Sequence, residues 1–113
     1  MQQAIGIDIV KNARVRESLS QRFLELTLAP VELAEYNRRT GKKQLEFLCG
    51  RIAAKEAVIK TLNDFEEQRP DLTAIEITVG KNGAPVARFK NYDILVSIAH
   101  EEDYTVAQAC LIF

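Results

Sequence analysis

The spacing of apolar positions divides this chain into a leading strand, a helical middle and an alternating second half. Residues 3–10 form an apolar, β-branched run that predicts a strand, although a carboxylate, Asp8, interrupts it. Short helical pieces are expected over residues 11–27, and another helix over about 30–39, where a proline suits the first turn. Residues 44–65 contain no proline and only one glycine, so they predict one long helix.

In the second half of the chain, apolar residues recur at every second position. Residues 74–79 alternate as a half-buried strand, and the segment 81–85 has the composition of a hairpin turn that leads into a strand at 86–89. Two further strands are expected over about 94–99 and 104–112. This order of elements predicts an α+β fold in which an antiparallel β-meander packs on the one long helix.

Composition and charge narrow the class of protein. At 113 residues the chain is expected to form a single domain over residues 1–113. Its net charge of −1 is unlike that of a dedicated nucleic-acid binder. The first apolar run is too short for a signal peptide or a membrane span, so neither is expected. Cys49 and Cys110 lack metal-ligand spacing and are expected to be reduced residues of a cytoplasmic protein.

Two carboxylates occupy positions where apolar side chains are expected. Asp8 lies in a predicted strand, and Glu56 shares a helical face with apolar residues such as Leu48 and Ile52. An ionised carboxylate in such a setting is costly unless a cation meets it. One carboxylate from a strand and one from a helix suit Mg²⁺, which completes its shell with water and substrate phosphate oxygens. The alternative is a Glu56–Lys60 surface pair at i, i+4, which needs no metal.

The remaining polar features each have a structural explanation beside a functional one. His100, the single histidine, follows a strand and is either an incidental residue or a group that holds a phosphate or moves a proton. Asn82 and Gly83 have the chemistry of a tight turn. Basic residues cluster over 11–22 and 38–43, which indicates either solvated surfaces or a docking site for an acidic protein.

Three segments together closely resemble holo-[acyl-carrier-protein] synthase, the short bacterial type of 4′-phosphopantetheinyl transferase. They are residues 6–10, residues 47–57 with Lys60, and residues 96–100. The resemblance runs nearly end to end, and the middle segment is the specific one. The chain departs from the family pattern at residues 63–67, which stand where the family usually has a glycine-rich turn.

The resemblance implies transfer of the 4′-phosphopantetheine group from coenzyme A to a serine of apo acyl carrier protein, with release of adenosine 3′,5′-bisphosphate. It implies that Asp8 and Glu56 ligate Mg²⁺ and that both act with Lys60 in catalysis. The residues implied to contact coenzyme A are Arg51, Lys60, Asn82, Gly83, Ser97 and His100. The residues implied to dock the acyl carrier protein are Arg14, Arg22 and Phe23. A homotrimer with active sites at the subunit interfaces is implied as well.

Two other functions stay open at this point. A relative that binds acyl carrier protein but has lost catalysis would keep the docking surface and fail at the altered segment 63–67. A purely structural α+β oligomer would use Glu56 only to pair with Lys60. Neither a nucleic acid nor a membrane is expected as a partner in any of these cases.

Overall fold

The structure is a computed structural model that describes residues 1–113. Its elements follow one another in this order: β1 (Gln3–Lys11), α1 (Asn12–Ser18), α2 (Gln21–Thr27), α3 (Pro30–Asn37), α4 (Gly41–Thr61), a single 3₁₀ turn (Leu72–Ala74), β2 (Glu76–Val79), β3 (Pro85–Arg88), β4 (Asp93–His100) and β5 (Tyr104–Ile112). The predicted α+β fold with antiparallel strands and one long helix is confirmed. None of the helices combines the length and apolarity that a membrane span needs.

The long helix α4 is shifted toward the N-terminus relative to its predicted span. It begins at Gly41 rather than at residue 44, so Lys42 and Lys43 lie in its first turn. It ends at Thr61, and Leu62 then starts a series of tighter turns. Phe65, which was expected to be helical, packs edge-on against Phe113 with ring centroids 4.7 Å apart. Phe65 thus lies in the turn after the helix rather than in the helix.

The five strands form two antiparallel sheets rather than one continuous meander. The larger sheet has the order β1-β5-β4, and the smaller sheet consists of β2 and β3. The predicted β2–β3 and β4–β5 hairpins are present, but β3 and β4 do not pair. Lys90, with φ +50°, lies in the turn between β3 and β4, and that turn leads the chain from one sheet to the other. The first strand instead pairs with the last along its whole length, from Gln3–Ile112 to Lys11–Tyr104.

Small residues allow α4 to lie very close to the larger sheet. A Cβ atom on Gly6 would fall 2.0 Å from the carbonyl oxygen of Ala57, so only glycine permits this approach. Alternation along β1 turns Gly6 and Asp8 toward the helix. The same alternation turns Ile5, Ile7 and Ile9 outward, where each is at least 60% exposed. The strand therefore buries its smallest side chains and exposes its largest.

A buried ion pair holds α4 against α3 and β2. Lys55 and Glu32 are both fully buried and bond to each other. Lys55 Nζ also donates to the Thr27 carbonyl at 2.7 Å, and Glu32 accepts from the backbone N–H groups of Ala29 and Ile77 at 2.8 and 2.7 Å. Removing one partner of such a pair leaves an uncompensated buried charge, which costs roughly 3–5 kcal/mol. The cluster therefore sets the orientation of the helix that carries Glu56.

Candidate active site

The close contact between β1 and α4 places four charged side chains together. Asp8, from β1, and Glu56, from α4, have side chains that are 18% and 25% exposed. Lys60 Nζ lies 3.4 Å from Asp8 Oδ1 and donates a stronger hydrogen bond to the Ile7 carbonyl at 2.7 Å. Arg69 Nη2 lies 2.5 Å from Glu56 Oε1. Each carboxylate thus has one cationic partner of its own.

The proposed Glu56–Lys60 surface pair is wrong. Lys60 turns toward β1 because its Cβ lies directly beside Gly6, only 3.1 Å from where a Cβ on that glycine would be. Its ammonium group then reaches the carbonyl of Ile7 and the carboxylate of Asp8. Glu56 is left free to bond with the loop that follows the helix. Asp8 is thus paired with Lys60, and Glu56 is paired with Arg69. An i, i+4 pair within the helix therefore does not explain the position of either carboxylate.

The oxygen donors of this cluster suit a divalent cation. Burial raises the pKa of Asp8, the hydrogen bond and charge of Lys60 lower it, and the nearby charge of Glu56 raises it again. The two carboxylates are therefore close enough to repel each other. No histidine, cysteine or further acidic residue lies close enough to form a three-ligand metal site with these two carboxylates. Two hard oxygen donors with room for further ligands fit Mg²⁺, which usually binds through one or two carboxylates plus water and phosphate oxygens.

His100 lies at the end of β4, on the face of the sheet that α4 covers. Its ring packs against Gly50, where an added Cβ would fall 3.0 Å from His100 Cε1. Its Nδ1 is 3.3 Å from the Thr105 hydroxyl, and that hydroxyl donates its own proton to Asn12 Oδ1 at 2.8 Å. Thr105 must therefore accept from His100, which assigns the proton to Nδ1 and leaves the Nε2 lone pair free.

The pKa of His100 is lowered, first by burial. The charge of Glu46 raises that pKa and the charge of Arg51 lowers it. The neutral imidazole is therefore favoured in the free protein. A phosphate bound at Nε2 would need the protonated ring, so contact with an anionic ligand would reverse this shift.

The other residues implied to contact coenzyme A do not join the carboxylate pair within one chain. Arg51 is buried, donates to the Ile77 carbonyl at 3.1 Å and stacks 4.1 Å above the ring of Phe47. Burial lowers the pKa of Arg51 to about 10, so it stays charged at neutral pH. Asn82 and Gly83 lie at the exposed tip of the β2–β3 hairpin, and Gly83 has φ +82° as the tight turn requires.

Ser97 is on the opposite side of the larger sheet from α4. It is exposed, it pairs with Gln108 across β4 and β5, and it shares its face with Leu95. The single chain therefore brings together Asp8, Glu56 and Lys60 but leaves Ser97 facing away from them.

The residues predicted to dock an acyl carrier protein lie on the first two short helices. Arg14 is exposed on α1, and Arg22 is exposed on α2 next to the partly buried Phe23. Ser20 caps the N-terminus of α2, and its hydroxyl accepts from the Phe23 backbone N–H at 3.0 Å. This cap fixes the direction in which the arginine and the aromatic ring are presented.

Sequence reasoning missed two groups that the structure connects to the site. Arg69 was part of an undifferentiated polar stretch, and nothing in its spacing indicates a contact 13 positions away in the chain. The second group is the Glu32–Lys55 pair. The sequence does indicate a buried charge there, since Lys55 lies among apolar helix residues as Glu56 does.

Comparison with known proteins identifies the family of this chain. Residues 4–109 match the family described as the 4′-phosphopantetheinyl transferase superfamily, ACPS. The chain belongs to this superfamily, and the resemblance found in the sequence is confirmed. Among curated relatives, the holo-[acyl-carrier-protein] synthase of Geobacillus kaustophilus is 40% identical over 111 residues, which is 95% of this chain and 86% of that protein. The holo-[acyl-carrier-protein] synthase of Mycoplasma mycoides is 40% identical over 106 residues, covering 93% and 90%.

Solved structures show the same fold. The holo-(acyl-carrier-protein) synthase of Bacillus anthracis, in complex with CoA (3′,5′-ADP), has a TM-score of 0.87 at 30% identity and covers 96% of this chain and 94% of that one. The holo-[acyl-carrier-protein] synthase of Helicobacter pylori, in complex with coenzyme A, has a TM-score of 0.81 at 25% identity and covers 96% and 99%. Both likenesses extend over nearly the whole of each chain.

Proposed function

We propose that this chain is a holo-[acyl-carrier-protein] synthase. It transfers the 4′-phosphopantetheine group from coenzyme A to a serine of apo acyl carrier protein and releases adenosine 3′,5′-bisphosphate. The observation that carries the proposal is the opposed pair Asp8 and Glu56, held half-buried between β1 and α4. The relatives of this name, and the coenzyme A complexes of the similar structures, support it. The domain comprises residues 1–113, and its free Cys49 and Cys110 are consistent with a cytoplasmic protein.

In this reaction Asp8 and Glu56 would hold Mg²⁺, which supplies charge neutralisation at the pyrophosphate of coenzyme A. Lys60 keeps its ammonium group in place through the Ile7 carbonyl and would bond to the phosphate oxygens. His100 would contact a phosphate through Nε2 once its ring is protonated. Its hydrogen bond to Thr105 fixes the ring so that this nitrogen faces away from β5.

Docking of the carrier protein would use the exposed charges of the first two helices. Arg14 and Arg22 are unpaired with any acidic side chain and are exposed, so an acidic partner can reach both. Phe23 adds an apolar anchor beside Arg22. A basic and aromatic surface of this kind suits an acidic helix of a carrier protein.

The outer face of the larger sheet supports the proposed homotrimer. Ile5, Ile7 and Ile9 expose 65, 60 and 64% of their surface, and Leu95 on β4 exposes 58%. A cluster of exposed large apolar side chains on one sheet face is typical of a contact between subunits. Ser97 lies on this same face. It would therefore contact coenzyme A only in a site that includes a second copy of the chain.

The decisive experiment is mass spectrometry of apo acyl carrier protein after incubation with this protein, coenzyme A and Mg²⁺. The expected result is the mass of one added 4′-phosphopantetheine group. Asp8→Ala and Glu56→Ala should each abolish the product while the variants stay folded. Glu102→Ala, which removes an exposed carboxylate with no ion pair, is the matched control and should act as the parent protein does. Tight binding of the carrier protein without any transfer would favour the non-catalytic relative instead.

A further inference from the structure

Arg69 is the cation that reaches the carboxylate pair from outside the contact between β1 and α4. It lies in the loop between α4 and the 3₁₀ turn, and its single side-chain hydrogen bond is the 2.5 Å contact with Glu56 Oε1. The Arg69 side chain is 60% exposed. It can therefore leave Glu56 without opening the core.

The charges of this cluster balance without a metal. Asp8 and Glu56 are negative, and Lys60 and Arg69 are positive. A divalent cation between the carboxylates would add two positive charges beside two that are already present. It would also compete directly with the guanidinium for Glu56 Oε1. Lys60 is retained by the Ile7 carbonyl at 2.7 Å, whereas Arg69 has no second partner to hold it.

The surroundings of Arg69 leave room for its side chain to move. It lines a cavity of about 240 Å³ beside the end of α4, together with Ile59 and Asn63. It also lines a second cavity of about 390 Å³ toward α2, together with Glu25 and Leu26. Arg69 thus lies between the carboxylate pair and the end of α2 that carries Glu25 and Leu26.

We propose that Arg69 is an exchangeable counter-ion of the active site. In the free protein it neutralises Glu56, and it moves to the substrate phosphates when metal and coenzyme A bind together. The proposal rests on the function proposed above. A guanidinium suits both positions, because its planar fork bonds to carboxylate and to phosphate oxygens with the same geometry.

This exchange makes metal and coenzyme A bind with positive coupling. A metal ion that binds alone must take Glu56 from Arg69 and leave the guanidinium without a partner. A metal ion that binds with coenzyme A brings phosphate oxygens that accept from the displaced guanidinium. By linkage, each ligand then raises the affinity for the other by the same factor.

The test uses Mn²⁺ as the probe in the absence of coenzyme A, measured by electron paramagnetic resonance and calorimetry. Arg69→Ala should bind Mn²⁺ about two- to five-fold more tightly than the parent, the range that an exposed ion pair represents. The same variant should bind coenzyme A more weakly when Mg²⁺ is present, so the coupling factor falls. Arg69→Lys keeps the positive charge but not the planar guanidinium group. Its Mn²⁺ affinity and coupling factor should lie between those of the parent and those of Arg69→Ala.

Lys90→Ala is the matched control, since it removes an ion pair of similar exposure, that with Glu66, from the same region. It should leave Mn²⁺ affinity and the coupling factor unchanged. An Arg69→Ala variant with parental or weaker Mn²⁺ affinity, or with the parental coupling factor, would overturn the proposal. The Mn²⁺ measurement does not require turnover. If the parent protein bound Mn²⁺ but left acyl carrier protein unmodified, the proposed function would fail, and this result is distinct from a failure of the Arg69 proposal.

Discussion

At the scale of single residues, Asp8, the proposed metal ligand on β1, occupies a position where burial disfavours its charge. Its strand alternates so that Asp8 faces the helix, and burial raises the pKa of its carboxyl group. The hydrogen bond from Lys60, at 3.4 Å, is too long to offset this fully. The ionised carboxylate is therefore disfavoured in the free protein, and a bound cation would relieve the penalty.

This leads to a prediction about stability and pH. Because the pKa of Asp8 is higher in the folded than in the unfolded chain, its contribution to stability falls as pH rises through the folded pKa. Asp8→Asn should therefore raise the Tm of the metal-free protein at pH 7. The gain should shrink as the pH is lowered below the unfolded pKa, where the parent carboxyl is protonated too. Circular dichroism melts from pH 3 to 8 would measure it.

The control for this experiment is Asp64→Asn, which neutralises an exposed carboxylate in the turn after α4. It should leave the Tm nearly unchanged at every pH. A Tm of Asp8→Asn that is lower than the parent value at pH 7 would mean that the ion pair with Lys60 outweighs burial.

At the scale of elements, two glycines set how closely α4 lies to the larger sheet, with different consequences. A Cβ on Gly6 would meet the backbone carbonyl of Ala57 at 2.0 Å, and neither backbone has space to move. A Cβ on Gly50 would meet the side chains of His100, at 3.0 Å, and of Ile98, at 3.4 Å, and no backbone atom. The approach at Gly6 therefore constrains the backbone of the fold, and the approach at Gly50 constrains the ring of His100, whose role in the site is a prediction.

We expect Gly50→Ala to separate stability from binding. Alanine is favoured over glycine inside a helix by about 1 kcal/mol, so the Tm should be maintained or should rise. The His100 ring must shift to make room, so the affinity for coenzyme A should fall. Thermal melts and calorimetry with coenzyme A would measure the two effects.

The comparison variant is Gly6→Ala, which should lose stability severely because the obstacle is backbone. If Gly50→Ala bound coenzyme A as tightly as the parent, His100 would have no part in binding.

The first two helices carry a separate prediction about the carrier protein. Arg14→Glu and Arg22→Glu should each raise the KM for acyl carrier protein and leave coenzyme A binding unchanged. Added salt should weaken carrier binding to the parent protein, since exposed charges are screened over about 8 Å at physiological ionic strength. Steady-state kinetics at several salt concentrations would show this.

Arg88→Glu reverses an exposed charge on β3, away from these helices, and is the matched control. If the affinity for the carrier protein changed neither with salt nor in Arg14→Glu and Arg22→Glu, the docking surface would lie elsewhere.

At the scale of the whole molecule, the outward isoleucines of β1 determine the prediction about assembly. Ile7→Lys introduces a charge at the centre of the apolar face formed with Ile5 and Ile9, and it should convert the proposed homotrimer to monomers. Transfer activity should be lost as well, because sites between subunits would be incomplete. Light scattering at micromolar concentration would measure the mass.

The control is Val31→Lys, a similar change at an exposed position of α3, which should leave the mass unchanged. A parent protein that is monomeric at micromolar concentration would contradict the proposed assembly directly.

The sequence by itself determined the type and order of the elements and identified the two carboxylates. Period-two and helical patterns are local properties, so they predicted each strand and helix to within a few residues. Asp8 and Glu56 stood out because each interrupts an apolar pattern in its own segment. The motif around Glu56 was specific enough to identify the family, which the comparisons confirmed. The roles of the individual site residues stay predictions.

Only the tertiary structure decided how the charges pair and how the strands divide into sheets. The contact of Lys60 with the Ile7 carbonyl joins residues 53 positions apart, and it exists because Gly6 lets the strand approach the helix. The partnership of Arg69 with Glu56 depends on the path of a loop that has no period of its own. Such contacts depend on how remote segments pack. A local pattern of apolar and polar residues carries no information about which remote residues meet.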